Sequence, residues 1–341
     1  MAPPNPLHDL PGMAGLRERV EQRLRAAVAS GDPAMAEMAS HLVSAGGKRL
    51  RPRLAAVSST AADGAPAGDE AFTGDGAFTG DAVGADAVTG GVACELVHVG
   101  SLHHDDVIDE APTRHGVDSV NARWGNLRAI LSGDFLLARA SELAASLGTE
   151  VAALLAATIG RLCEGEVGEL QCAYQVDRTV ADYASAIEGK TAALFSTACR
   201  IGGLVADLPR DQVDALGDFG RHYGMAFQIV DDILDVVASD DELGKPAGHD
   251  MAEGVYNRPV LRALDGEGGG ELRELLGGPL DPAARSRALA IVRAGGGVPA
   301  AAAEARAYVD RAVADLDRLP PSPGGTALAA AAHHLVADLG R

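Results

Sequence analysis

Apolar residues recur at intervals of three and four through most of this chain, the spacing that lays one face of an α-helix against a core. The first such block covers residues 16–44 and ends at Gly46-Gly47, a pair suited to a helix C-terminus. A second helix is predicted to open around Pro52, because proline is tolerated in a first turn. Helical patterning returns over 94–109, breaks between Pro112 and Gly116, and resumes over 120–176. Further helices are predicted over 180–201, 212–237, the segment after Arg258, 283–294, 300–319 and 327–339. No strand-like alternation of useful length intervenes, so the pattern predicts one all-α domain. Residues 63–91 differ, being rich in Gly, Ala, Asp and Thr, with AFTGDG (71–76) echoed by AFTGDA (77–82). This stretch reads as a loop insertion; two copies are too few for a repeat architecture, and such Asp/Gly loops are ordinarily solvated rather than calcium-binding.

Composition sharpens the helical reading. Of 341 residues, 47% are hydrophobic and 4% aromatic, which points to a core of Ala, Leu and Val. A net charge of -19 excludes nucleic-acid recognition through a positive surface, so an anionic ligand must meet local cations or bound metal. Cys94, Cys163, Cys172 and Cys199 form no CxxC pair, and the N-terminus lacks the layout of a signal peptide; the thiols read as reduced residues of a cytosolic protein. The longest apolar stretch, 143–162, is interrupted by Gly148, Glu150, Gly160 and Arg161, so no run of about 20 apolar residues spans a bilayer. Contact with a membrane is expected to be peripheral.

Two DDxxD clusters carry the candidate chemistry, Asp105-Asp106-Val107-Ile108-Asp109 and Asp231-Asp232-Ile233-Leu234-Asp235. Each is predicted near a helix end, where residues four apart share a face, pairing Asp105 with Asp109 and Asp231 with Asp235. One such cluster is usually a solvated acidic helix end. Two, embedded in apolar sequence as LHHDDVID and FQIVDDILDVV, would be costly to desolvate without a counter-ion. Mg²⁺ prefers one or two carboxylates with phosphate oxygens and water, which facing clusters could supply around a diphosphate.

The cations such a ligand needs are local. GGKRLRPR (46–53) is the densest positive patch, and Lys48 and Arg51, if helical, share a face. Arg114 follows the first cluster closely, Lys190-Thr191 and Lys245 are further isolated sites, and Gln228 lies three residues before Asp231.

The chain resembles the trans-polyprenyl diphosphate synthase family through four motifs in order, GGKRLRP, ELVHVGSLHHDDVIDEAPTRHG, EGKTAALF (188–195) and GMAFQIVDDILD (224–235). The resemblance implies a homodimer of single-domain helical bundles, each around a deep central cavity mouthed by the aspartate clusters. It implies isopentenyl diphosphate and an allylic diphosphate as substrates and three Mg²⁺ ions, two on Asp105 and Asp109 and a third on Asp231, with Asp106, Asp232 and Asp235 in support. Lys48, Arg51 and His98 match positions that hold isopentenyl diphosphate. Arg114, Lys190, Thr191, Gln228 and Lys245 match those that contact the allylic diphosphate.

Two departures stand out. His115 replaces the second of two arginines usual after the first cluster, a mostly neutral group in place of a cation. After the second cluster, EGVYNRP (253–259) replaces a Thr-Leu-Pro-like stretch. Product length in the family follows the residues just before the first cluster. Small residues at Gly100 and Ser101, with Val97 further up the same helix, predict an open tunnel and a product of twenty carbons or more. His103 reads as a packing histidine. The alternatives are a class I terpene cyclase, which usually lacks the paired cluster and the GKRLRP patch, and a non-catalytic partner subunit of a prenyl synthase.

Overall fold

Short polar residues set where several helices begin, Asp32, Ser119, Thr179, Asp281 and Ser322 each accepting from a first-turn N–H. The computed structural model describes residues 7, 10–61, 80–238 and 247–339. Helix α1 spans Met13–Ala27 and α2 spans Pro33–Ala45. The Asp32 carboxylate accepts from the N–H groups of Ala34 and Met35, and Pro33 sits in the first turn, where its missing N–H is harmless. That cap divides what periodicity alone reads as one helix over 16–44. α2 ends at Gly46 (φ 96°), and α3 (Leu50–Ser58) starts from Arg49 in the left-handed region (φ 48°). Lys48 therefore stands exposed ahead of α3 and shares no helical face with Arg51.

Helix α4 covers Ala85–Ile108. Residues 63–79 of the expected insertion lie outside the described residues, but 85–91 are the first turns of α4 rather than loop. Gly91 is there for close approach: a Cβ on it would stand 2.6 Å from Pro52 Cα, so its absence lets α3 lie against α4. Beyond α4, strands β1 (Thr113–Arg114) and β2 (Val117–Asp118) pair antiparallel. His115 (φ 52°) and Gly116 (φ 78°) turn the chain between them, the two positive φ values of a type I′ hairpin. The region 120–176 is three helices, α5 (Val120–Trp124), α6 (Asn126–Ser146) and α7 (Thr149–Gln171).

The remaining helices are α8 (Val180–Ile187), α9 (Ala193–Val205), α10 (Arg210–Val237), α11 (His249–Ala252), α12 (Arg258–Leu264), α13 (Gly269–Leu275), α14 (Pro282–Ala294), α15 (Gly297–Leu316) and α16 (Pro323–Leu335). A π-helical turn, Glu188–Ala192, joins α8 to α9. α10 is apolar on two sides because it lies between two cores. Leu216, Phe219, Tyr223 and Ala226 enter one shared with α1, α3, α4, α6 and α9. Met225, Ile229, Ile233 and Val236 enter the other, with α8, α12, α14 and α15. The aspartate clusters thus end the two long helices α4 and α10, and the π turn lies against α10.

Candidate active site

Asp109 caps α4, its N–H donating to Asp105 O (2.8 Å), so the two acids sit one turn apart as expected. Asp105 is half-buried and Asp109 exposed. Burial pushes the Asp105 carboxyl up to about 7, against the pull of Lys190, and raises Asp109 in the same direction. Asp106, between them, is fully buried and held from the hairpin: Arg114 Nε donates to its Oδ1 at 2.7 Å, while Asn121 Nδ2 donates to its backbone oxygen at 2.9 Å. Arg114, expected at the allylic diphosphate, is thus bound to a carboxylate of the first cluster.

At the second cluster Asp231 is exposed, whereas Asp235 is 4% exposed, so this pair does not share one exposed face. The neighbours of Asp235, Ile233 and Val236, are packed into the second core and draw that side of α10 inward. Asp232 is buried and accepts from Tyr183 Oη (2.5 Å), Gln228 Nε2 (3.0 Å) and the Arg258 backbone N–H (3.3 Å). Among the described residues, no group of three or more His, Cys, Asp or Glu side chains is arranged to hold an ion. The first cluster offers a pair of hard oxygen donors, Asp105 and Asp109, and the second offers exposed Asp231, a set that fits Mg²⁺ completing its shell with phosphate oxygens and water.

Lys190 and Thr191 link the two clusters. Both lie in the π turn, a distortion common at functional sites. Gly165 on α7 allows that turn to approach, since a Cβ there would meet Lys190 N at 2.5 Å. Lys190 Nζ then reaches Glu166 (2.6 Å) and Glu169 (2.7 Å) of α7. Burial would lower its pKa, yet Glu169, Glu166 and Asp105 carry the ammonium above its ordinary value. Thr191 Oγ1 donates to Gln228 Oε1 at 2.8 Å, and Gln228 passes the contact to Asp232. Consecutive residues therefore act on the two clusters, Lys190 electrostatically on Asp105 and Thr191 through Gln228 on Asp232. Glu166 and Glu169 were not singled out from sequence; their one signal is that acids three apart share a helical face.

A second group of cations surrounds His98. Arg51 stacks over Phe195 with its guanidinium carbon 4.7 Å from the ring centroid. Burial, reinforced by Arg51, His115, Arg114 and Arg49, holds His98 well below its ordinary pKa, leaving it neutral and able to donate one N–H. Burial likewise lowers His115. Arg51, His98, Arg114 and His115 are thus brought together, with exposed Lys48 making no ion pair among the described residues. Arg49 is structural instead, bonded to Glu21, Glu95 and Val43 O. Lys245 lies outside the described residues.

The residues expected to set product length fall differently. Gly100 faces α6: a Cβ there would stand 3.2 Å from Gly133 O and 3.3 Å from Leu137, so its size serves a helix crossing rather than an open tunnel. Ser101 is half-buried and Val97 wholly buried in the core. His103 is a packing histidine, its Nδ1 2.9 Å from Ser132 Oγ.

The family model described as polyprenyl synthetase matches residues 32–292. A nonaprenyl diphosphate synthase of Mycobacterium tuberculosis is 38% identical, the match covering 94% of this chain and 92% of that protein. Among solved structures, a decaprenyl diphosphate synthase from Rhodobacter capsulatus superposes with a TM-score of 0.84 at 32% identity, covering 96% of this chain and 98% of the other. A polyprenyl synthase from Caulobacter crescentus, crystallised with calcium and isoprenyl diphosphate, gives a TM-score of 0.83 at 31% identity, covering 96% and 94%.

Proposed function

This chain belongs to the polyprenyl synthetase family, and on that premise we propose which of its residues perform each part of the reaction. It is a prenyltransferase, a polyprenyl diphosphate synthase whose product has twenty carbons or more. The observation that carries the site assignment is the Lys190-Thr191 dipeptide: Lys190 acts electrostatically on Asp105, and Thr191 connects through Gln228 to Asp232.

In this reading Asp105 and Asp109 hold two Mg²⁺ ions and Asp231 a third, and the calcium in the Caulobacter relative supports a divalent-ion site. When bound, the ions neutralise the diphosphate as its bond to carbon breaks. Lys190, Thr191, Arg114 and Gln228 orient the allylic diphosphate, with Lys245 assigned by its motif. Lys48, Arg51, His98 and His115 hold isopentenyl diphosphate, the neutral His98 donating its N–H. The leaving diphosphate takes the C–O electron pair, the double bond of isopentenyl diphosphate attacks the allylic cation, and a proton passes to the departed diphosphate.

The reading includes a homodimer. Leu127 (72% exposed), Ile130 and Leu131 on α6, with Val167 and Leu170 on α7, form an apolar surface of the kind that subunits cover. Leu131→Asp should shift the mass measured by light scattering to the monomer; an unchanged mass would remove this face as the interface. The four free thiols fit a cytoplasmic enzyme, and no described helix is long and apolar enough to cross a membrane, so release of the product involves peripheral contact.

The test is incubation with isopentenyl diphosphate, Mg²⁺ and allylic primers of ten, fifteen or twenty carbons, followed by product analysis. Elongated diphosphates are expected, and Asp105→Ala or Asp231→Ala should abolish them. Normal turnover by either variant would show that the ligands are misplaced.

A further inference from the structure

The second aspartate cluster is held from behind by a residue outside all four motifs. Tyr183 lies on α8, seven residues before Lys190, and is 3% exposed. Its hydroxyl donates to Asp232 Oδ2 at 2.5 Å. Asp232 sits between Asp231 on α10 and the Gln228 side chain, which bonds it through Nε2 and accepts from Thr191. The segment bearing Lys190 and Thr191 is therefore fastened to the helix bearing Asp231 twice, directly through Tyr183 and indirectly through Thr191 and Gln228.

The Tyr183 ring has its own anchors. The guanidinium carbons of Arg178 and Arg258 stand 5.6 and 5.7 Å from its centroid. Arg258 belongs to the EGVYNRP stretch that departs from the family pattern, and Glu304 of α15 pairs with both Arg258 and Arg262. Its backbone N–H also donates to Asp232. Two cations thus border the ring, and the hydroxyl is aimed by groups that come from α8, α12 and α15. A hydroxyl donated to a buried carboxylate fixes that carboxylate's rotamer, and with it the end of α10 that carries the adjacent Asp231.

We propose that Tyr183 is a positioning residue that sets the register between the allylic-diphosphate cations Lys190 and Thr191 and the second aspartate cluster. The inference rests on the site assignment above. It makes Tyr183 matter for the allylic half of the reaction and leaves Arg51 and His98, assigned to isopentenyl diphosphate, untouched.

Tyr183→Phe removes the hydroxyl and keeps the ring between the two arginines. In the full-length enzyme with Mg²⁺, KM for the allylic primer should rise about tenfold, while KM for isopentenyl diphosphate stays within about twofold. Calorimetric affinity for an unreactive allylic thiolodiphosphate should fall by a similar factor, and the melting temperature without metal should drop by only a few degrees. Asp232→Asn is isosteric but leaves a single accepting oxygen; it predicts the same split and keeps the test decisive if the phenylalanine variant does not fold. Equal losses for both substrates, or an unchanged thiolodiphosphate affinity, would reduce Tyr183 to a packing residue and overturn the proposal. A parent protein that elongates no primer would instead overturn the site assignment, and this inference with it.

Discussion

Gly91→Ala is expected to damage isopentenyl diphosphate binding from a position that contacts no substrate. The new Cβ would lie 2.6 Å from Pro52 Cα, 3.1 Å from its oxygen and 3.3 Å from its carbonyl carbon. The first of these is about 1 Å inside the ~3.5–4.0 Å at which carbon atoms attract. Alanine in a helix interior gains about 1 kcal/mol over glycine, but overpacking against backbone, which cannot rotate away, costs about 1–3 kcal/mol or more. The balance is a loss of up to about 2 kcal/mol. Relief requires α3 to move away from α4, and α3 carries Arg51 while α4 carries His98 and Asp105. A displacement near 1 Å at a site can reduce turnover about 100-fold. Urea unfolding at fixed protein concentration reads the stability, and steady-state kinetics with isopentenyl diphosphate varied reads the site. Gly270→Ala is the control: no atom lies within 4 Å of its added Cβ, so it should stabilise by about 0.5 kcal/mol and leave the kinetics alone. A Gly91→Ala protein as stable as its parent, with the same KM, would refute the argument that this contact sets the distance between the helices.

Other consequences concern charge. Folded Asp105 titrates at about 7 against an ordinary 3.8, so the unfolded chain ionises first and the metal-free protein should lose stability between about pH 4 and 7. Asp105→Asn should therefore raise the metal-free melting temperature at pH 8 and not at pH 4; equal effects at both would contradict the burial account. His115→Arg restores a cation beside His98 and should lower KM for isopentenyl diphosphate about fivefold, with a small stability loss because residue 115 adopts φ 52°. An unchanged KM would make that departure irrelevant to binding. Glu166→Gln loosens one of the two grips on Lys190 and should tighten binding of inorganic diphosphate in the presence of EDTA about threefold. Calorimetry showing weaker binding would mean that Glu166 orients Lys190 rather than competing for it.

The helices and both clusters were legible because each rests on local spacing: one face of α10 repeats with helical period over its whole length, and acids four apart need no knowledge of the rest of the chain. What failed was whatever a distant element decides. Gly90 and Gly91 read as loop because glycine is a poor helix former, yet in the fold they are the places where α4 meets its neighbours. Gly100 read as open space for a product tail, whereas the oxygen of Gly133, 33 positions along the chain, fills that side. Glu166 and Glu169 are two of 48 acids until the π turn brings Lys190 between them. Tyr183 carries no signal beyond a helical position, because its partner Asp232 is 49 residues away.

A single physical condition joins the site to the composition. In a chain of net charge -19, the two cations beside the aspartate clusters already have carboxylates: Arg114 has Asp106, and Lys190 has Glu166 and Glu169. A diphosphate that came alone would have to take these cations from their partners and would meet the negative charge of Asp105, Asp109 and Asp231. Burial raises Asp105 for the same reason that such an anion is unwelcome: negative charge in that half-buried place lacks enough positive charge. The acidity that excludes nucleic acid thus makes a second source of positive charge necessary for a diphosphate bound beside the aspartate clusters. The pairing of cations with acids decides how the few lysines and arginines are aimed when it comes.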